Sequence, residues 1–117
     1  TADIYGGTRS EEFLGAALGD RRKEIVLATK FAGPVGSGPL NKGGSRRHIM
    51  DAVEGSLRRL NTDWIDLYQI HFPDPLTPID ETLGALDSRR GHGGRCGRIC
   101  ADLRRPGQRG IPHTRGP

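Results

Sequence analysis

Cysteine is scarce in this chain: two in 117 residues. That is too few for a disulfide framework and excludes the small stapled secreted scaffolds. Long apolar runs are missing as well. No stretch approaches the ~18 consecutive apolar residues of a membrane helix, and no charged-then-apolar leader stands at the start. Both absences lead to the expectation of a cytoplasmic protein with no membrane partner. Apolar residues make up only 33% of the chain, against about 45–50% in ordinary domains, which is lean for a self-sufficient core. The length suits one small domain.

What is present is unevenly spread. Residues 1–87 hold 10 Lys+Arg against 13 Asp+Glu, whereas residues 88–117 hold 8 Arg, no Lys and the single acid Asp102. The net charge of +4 therefore belongs to the last 30 residues. The first 87 have the balance of an acidic-to-neutral enzyme.

Along that first part, hydrophobic periodicity predicts alternating strands and helices. TADIY is strand-like and stops at Gly6-Gly7. SEEFLGAAL reads as a helix with Ser10 as cap, Glu11 and Glu12 at its positive end, and Phe13, Leu14, Ala17 and Leu18 on one face. EIVLATKF reads as a buried strand. Residues 32–44, with five glycines and two prolines, form a long loop. Ser45 opens a helix whose Ile49, Ala52, Val53, Leu57 and Leu60 recur at three and four. WIDLYQIHF is the next strand, with Trp64, Tyr68 and Phe72 as packing residues. Thr77 and Pro78 start a helix with Ile79, Leu83 and Leu86 on its apolar face. This order predicts repeated βαβ units and a parallel sheet.

The carboxyl ends of the three expected strands carry Tyr5, Lys30 and His71. Catalytic groups of βα barrels and ligands of open α/β sheets gather at that end. The chemistry that suits the three is proton transfer. A free tyrosine has a pKa near ~10, and a nearby ammonium lowers it by stabilising the phenolate. An imidazole can hydrogen-bond a carbonyl or share its proton. Protonating an oxygen reduces a carbonyl only if hydride arrives at the carbon. No side chain supplies hydride, so a nicotinamide cofactor is required.

Four segments, TADIYGGTRSEEFLGAAL, IVLATKF, GSRRHIMDAVEGSLRRLNTDWIDLYQIHFPDP and TPIDETLGALD, make residues 1–87 closely resemble the aldo-keto reductase family. The resemblance implies a (β/α)8 TIM barrel of which this chain covers about three βα units. It implies NADPH-dependent reduction of a small aldehyde or ketone, with Tyr5 as proton donor, Lys30 as the group that tunes it, and His71 as the residue that orients the carbonyl. The family's catalytic Asp belongs immediately before Thr1, and Asp3 is not its equivalent. Residues 1–87 are thus expected to be a partial aldo-keto reductase barrel. No residue of the chain is assigned to cofactor binding, since the family's NADPH-binding segments come later than Asp87. Because such a barrel takes roughly 200 residues or more, the chain alone is expected neither to bind NADPH tightly nor to turn over.

Residues 88–117 depart from the family. They are expected to be an irregular basic tail, disordered or derived from a shifted reading frame. As an alternative function, that tail would act as a non-enzymatic basic module, holding nucleic acid or an acidic partner through non-specific phosphate contacts. Two further patterns fail on inspection. Gly38 to Gly43 has the spacing of a phosphate loop, but Gly44 stands where a Lys is needed. Cys96, Cys100 and His113 match half of a zinc finger, with His92 as a spare ligand, but the second histidine is missing. No metal is expected.

Overall fold

The computed structural model describes residues 1–90 and 96–99. In chain order the elements are α1 (Arg9–Leu18), a 3-10 turn (Gly19–Glu24), β1 (Ala28–Phe31), α2 (Arg46–Arg59), β2 (Ile65–Ile70), α3 (Ile79–Arg90) and β3 (Cys96–Ile99). The three strands form one sheet in the order β1-β2-β3. Both pairings are parallel, with Lys30 opposite Gln69 and Ile65 opposite Cys96. Helix α2 makes the crossover from β1 to β2, and α3 that from β2 to β3. This is the consecutive strand order of a (β/α)8 barrel wall.

Helix α2 follows its sequence signals closely. Ser45 has extended dihedrals, and its hydroxyl accepts the His48 amide at 3.2 Å. Ile49, Ala52, Val53, Ser56 and Leu57 are buried, the 3.6-residue stripe that a sheet-covering helix needs. Arg58 and Arg59 close the last turn, where positive charge opposes the helix dipole. On the helix-facing side of the sheet, Phe31 stacks on Tyr68 with centroids 4.9 Å apart. The core gathers around that pair, with Ile49, Val53, Leu57, Leu60, Ala85 and Leu86.

Other expectations need correction. TADIY is not a strand. Thr1 N and Asp3 N do bond to the Ala28 and Lys30 carbonyls of β1, at 3.0 and 3.1 Å, but from Ala2 onward short-range turns take over, Tyr5 N to Ala2 O and Gly7 N to Ile4 O. Gly6, Gly7 and Thr8 then run through the left-handed region with φ of 60°, 62° and 78°, which turns the chain straight into α1. Ser10 does not cap α1; the N-cap position is Thr8, with no side-chain cap bond, and the Ser10 hydroxyl instead meets that of Thr1 at 2.6 Å. The buried residues of α1 are Glu11 and Gly15, while Phe13 is 70% exposed. The second strand is shorter than EIVLATKF, and Val26 is 80% exposed. On α3 the buried residues are Thr82, Ala85 and Leu86, with Ile79 and Leu83 exposed. Phe72 is exposed rather than packed inside.

Beyond Asp87, α3 continues to Arg90 and β3 then joins the sheet, so regular structure crosses the expected boundary. Of residues 88–117, expected to be an irregular basic tail, residues 91–95 and 100–117 lie outside the described residues. So do the Cys100, His113 and His92 positions of the incomplete zinc pattern.

Candidate functional site

Lys30 is the penultimate residue of β1, and His71 directly follows β2. The two strands are locked in register there, since the His71 amide donates to the Phe31 carbonyl at 2.8 Å. Lys30 pairs with Gln69. Alternation along a strand therefore puts Lys30, Gln69 and His71 on the same sheet face, opposite the helix-facing Phe31 and Tyr68.

Tyr5 arrives from the turns before α1. The Asp3 amide donates to the Lys30 carbonyl at 3.1 Å, which pins the turn to the end of β1. The Ser10 amide donates to the Tyr5 carbonyl at 3.2 Å, tying Tyr5 to the first turn of α1. Ile4 lies against Gly33; a Cβ on Gly33 would come within 2.6 Å of the Ile4 side chain. These contacts fix the position of a side chain that is itself 41% exposed.

The outcome is a three-residue cluster. The Tyr5 hydroxyl lies 3.2 Å from His71 Nε2. The two rings meet edge to face, with centroids 5.6 Å apart. Lys30 Nζ stands 5.5 Å from the Tyr5 ring centroid, and donates its hydrogen bond to the Thr1 carbonyl at 3.0 Å. Phe72 stacks on His71 at 4.1 Å and limits how that ring can turn. The structure thus brings all three sequence-predicted residues to one rim, although Tyr5 comes from a turn and not from a strand. Chemically the cluster can hold an oxygen atom at the Tyr5–His71 pair and pass it a proton.

The fit to a dinucleotide is a separate matter. The amides at the end of the glycine-rich loop are already engaged: Gly43 N donates to the Ala32 carbonyl at 2.9 Å, and Gly44 N to Asp74 Oδ2 at 2.8 Å. A phosphate cradle needs such amides free. Among the described residues, the glycine-rich loop is a structural rim and not a phosphate site.

Two clusters carry no hydrophobic signal and escaped sequence reasoning. One is at the rim. The Asp74 carboxylate accepts from Gly44 N, from Leu76 N at 3.0 Å and from the Thr77 hydroxyl at 2.6 Å. These bonds, the Gly44 amide and Thr77 hydroxyl first, hold its carboxyl below the ordinary aspartate range. The other is buried under α1. Glu11 accepts from the Thr29 hydroxyl at 2.6 Å and pairs with Arg59 Nε at 2.7 Å. Asp3 is fully buried beside it, with neither carboxyl oxygen hydrogen-bonded. Burial first, and the Glu11 charge second, push Asp3 up to about 7. The signal that could have pointed to the second cluster is the acid at position 11, on the helix stripe where an apolar residue belongs.

Parallel βα units in consecutive order are the pattern of part of a (β/α)8 barrel wall. Comparisons with known proteins agree. The profile of the Aldo/keto reductase family matches residues 1–94. Aldo-keto reductase YhdN of Bacillus subtilis (strain 168) is 48% identical over 88 residues, which cover 74% of this chain and 27% of that protein. A probable voltage-gated potassium channel subunit beta of Oryza sativa subsp. japonica is 43% identical over 96 residues, covering 79% of this chain and 29% of that one. Among solved structures, the holo form of aldo-keto reductase AKR11C1 from Bacillus halodurans superposes with a TM-score of 0.72 at 40% identity, covering 86% of this chain and 35% of that one. The chain belongs to the aldo/keto reductase family, and its fold is part of a (β/α)8 barrel. It spans about a third or less of the length of the relatives it matches.

Proposed function

We propose that Tyr5, Lys30 and His71 form the proton-delivering side of a site that reduces small aldehydes or ketones with NADPH. The observation that carries this reading is the Tyr5 hydroxyl, 3.2 Å from His71 Nε2 on an accessible rim. A carbonyl oxygen placed between the two takes a hydrogen bond from each. His71 fixes its direction. Tyr5 gives it a proton as negative charge develops on the oxygen. The Lys30 ammonium, at 5.5 Å from the Tyr5 ring, supports the phenolate left behind. A bound nicotinamide supplies the hydride to the carbonyl carbon. Membership of the family supports the reading, as does a solved relative described as a holo form.

The 117-residue chain by itself is expected not to turn over, because the three strands among the described residues cannot close a barrel of about eight. The test therefore uses two proteins. One is the chain alone, for which aldehyde-dependent NADPH consumption is expected to be absent. The other is a chimera in which residues 1–90 replace the matching segment of aldo-keto reductase YhdN. That chimera is expected to consume NADPH with an aldehyde and to lose the activity on Tyr5→Phe. A folded chimera that reduces no carbonyl, or one indifferent to Tyr5→Phe, overturns the proposal.

A further inference from the structure

A fully buried carboxyl with no hydrogen bond is costly, about 1–3 kcal/mol even for an uncharged polar group, and it calls for an explanation. Asp3 is such a group. Its surroundings show why it has no partner. The buried space under α1 holds two carboxyls, Asp3 and Glu11, and one guanidinium, Arg59, reaching in from α2. Glu11 takes both available donors, the Thr29 hydroxyl on one oxygen and Arg59 Nε on the other. Asp3 is left without a side-chain donor. Two carboxylates cannot share one compensating cation in a dry site, so the one lacking donors holds a proton. Lys30 gives Asp3 no hydrogen bond from its side chain; its ammonium donates to the Thr1 carbonyl.

The place of Asp3 gives the arrangement a consequence. Its own amide holds the Lys30 carbonyl at 3.1 Å, and Tyr5 lies two residues further along the same turn. Whatever moves Asp3 moves the segment that joins Tyr5 to the end of β1. We propose that Asp3 is a positioning residue: its uncharged carboxyl, shut in beside Glu11, seats the turn that brings Tyr5 to His71, and its ionisation unseats that turn. The proposal rests on the reading of Tyr5 and His71 as the working pair and adds a control of their geometry by pH. Asp3 touches no reacting atom.

Burial and the Glu11 charge place the Asp3 ionisation at about 7, so the control would act around neutral pH. The charged groups facing Asp3 are Glu11 from α1 and Arg59 from α2; the guanidinium, and after it the nearby backbone amides of Ile4 and of Asp3 itself, oppose the effect.

The experiment is NMR of the full 117-residue chain with 13C-labelled aspartate, from pH 5 to pH 9. One carboxyl, identified by its disappearance in Asp3→Asn, is expected to titrate near neutrality. The Tyr5–His71 ring cross-peak is expected to weaken over the same interval. In Asp3→Asn, which has the same shape and no charge, that cross-peak should persist across the range. Any effect of the imidazole itself is common to both proteins and cancels in the comparison. The proposal is overturned if every aspartate titrates in the ordinary acidic range, or if the cross-peak responds to pH equally with and without the Asp3 carboxyl. Should Asp3→Asn fail to fold, the wild-type titration still decides: a cross-peak that does not follow a near-neutral carboxyl overturns it. No readout involves turnover, so the result stands apart from the test of carbonyl reduction.

Discussion

Arg59 and Glu11 meet at 2.7 Å from two different helices, 48 positions apart in the chain. The Glu11 side chain is fully buried and that of Arg59 is 18% exposed. The pair joins α1 to α2, and so joins the Tyr5 turn to the sheet. Removing one member of a buried pair strands the other without compensation, at about 3–5 kcal/mol. Arg59→Ala is therefore expected to lower the urea midpoint by an amount that corresponds to several kcal/mol. A midpoint within experimental error of wild type would refute the account. Surface pairs behave differently: Arg21→Ala, which removes the exposed contact with Glu24, should change stability by less than about 1 kcal/mol.

Gly15 lies where α1 crosses the end of α2. A Cβ there would come within 2.6 Å of the Arg59 carbonyl oxygen and of Leu60 C. Backbone cannot swing aside as a side-chain tip can. Alanine is the better helix former by about 1 kcal/mol, yet overpacking of about 1–3 kcal/mol outweighs it here. Gly15→Ala should destabilise, whereas Gly84→Ala on α3, where the added methyl meets nothing within 4 Å, should be neutral or stabilising. Thermal unfolding of the two variants checks the contrast in sign.

The Asp74 clamp gives a prediction on loop mobility. Asp74→Ala removes the acceptor for Gly44 N, Leu76 N and the Thr77 hydroxyl. The 32–44 loop then loses one of its ties; the Thr82 hydroxyl still donates to the Gly44 carbonyl at 2.7 Å. Trypsin should cut after the exposed Lys42 several-fold faster in the variant. Equal rates would mean that the carboxylate does not hold the loop.

Asp3 and Asp74 predict opposite responses of stability to pH. Asp74 has its carboxyl depressed by the Gly44 amide and Thr77 hydroxyl. Its contribution is full above the unfolded value of 3.8 and fades as pH falls through the depressed folded value. Asp3 is raised by burial and by Glu11. Its favourable contribution is full below 3.8 and is lost as pH rises through about 7. Between those two values the slope attributable to Asp3 is at most roughly 1.4 kcal/mol per pH unit. Urea unfolding between pH 4 and pH 7 should show this decline in wild type and lack it in Asp3→Asn. A wild-type curve flat over that interval would contradict the assignment.

Much of the fold could be read from residues alone, and the reasons are local. Helix α2 declares itself through Ser45 and a clean apolar stripe, both properties of one segment. β2 declares itself as a short apolar run ended by prolines. The failures have one cause: their explanation lies elsewhere in the chain. TADIY has strand composition, and Thr1 and Asp3 do bond to the edge of β1, but the left-handed run at residues 6–8 winds the chain into turns before a strand can extend. The α1 face was misread because Glu11 is buried on account of Arg59, which no periodicity in α1 reveals. β3 was missed since Cys96–Ile99 offers a single β-branched residue. The βα alternation was the better guide, because a strand was due after α3. Of the site, all three rim residues could be named beforehand, as each closes or follows an expected strand. Their mutual geometry could not, because it depends on the Tyr5 turn.

The strands neighbour one another in the sequence in which they are synthesised, β1 then β2 then β3. A growing chain can therefore add each strand to an edge already in place, with no need to insert one between partners that have paired. Synthesis runs from the N-terminus, so the N-terminal part of a chain is the first free to fold. Both members of the Tyr5–His71 contact lie at or before position 71. Both of its members, and the Lys30 beside them, precede α3 in the chain. The proton-handling corner of the rim can thus be assembled on the nascent chain ahead of the strand that follows it.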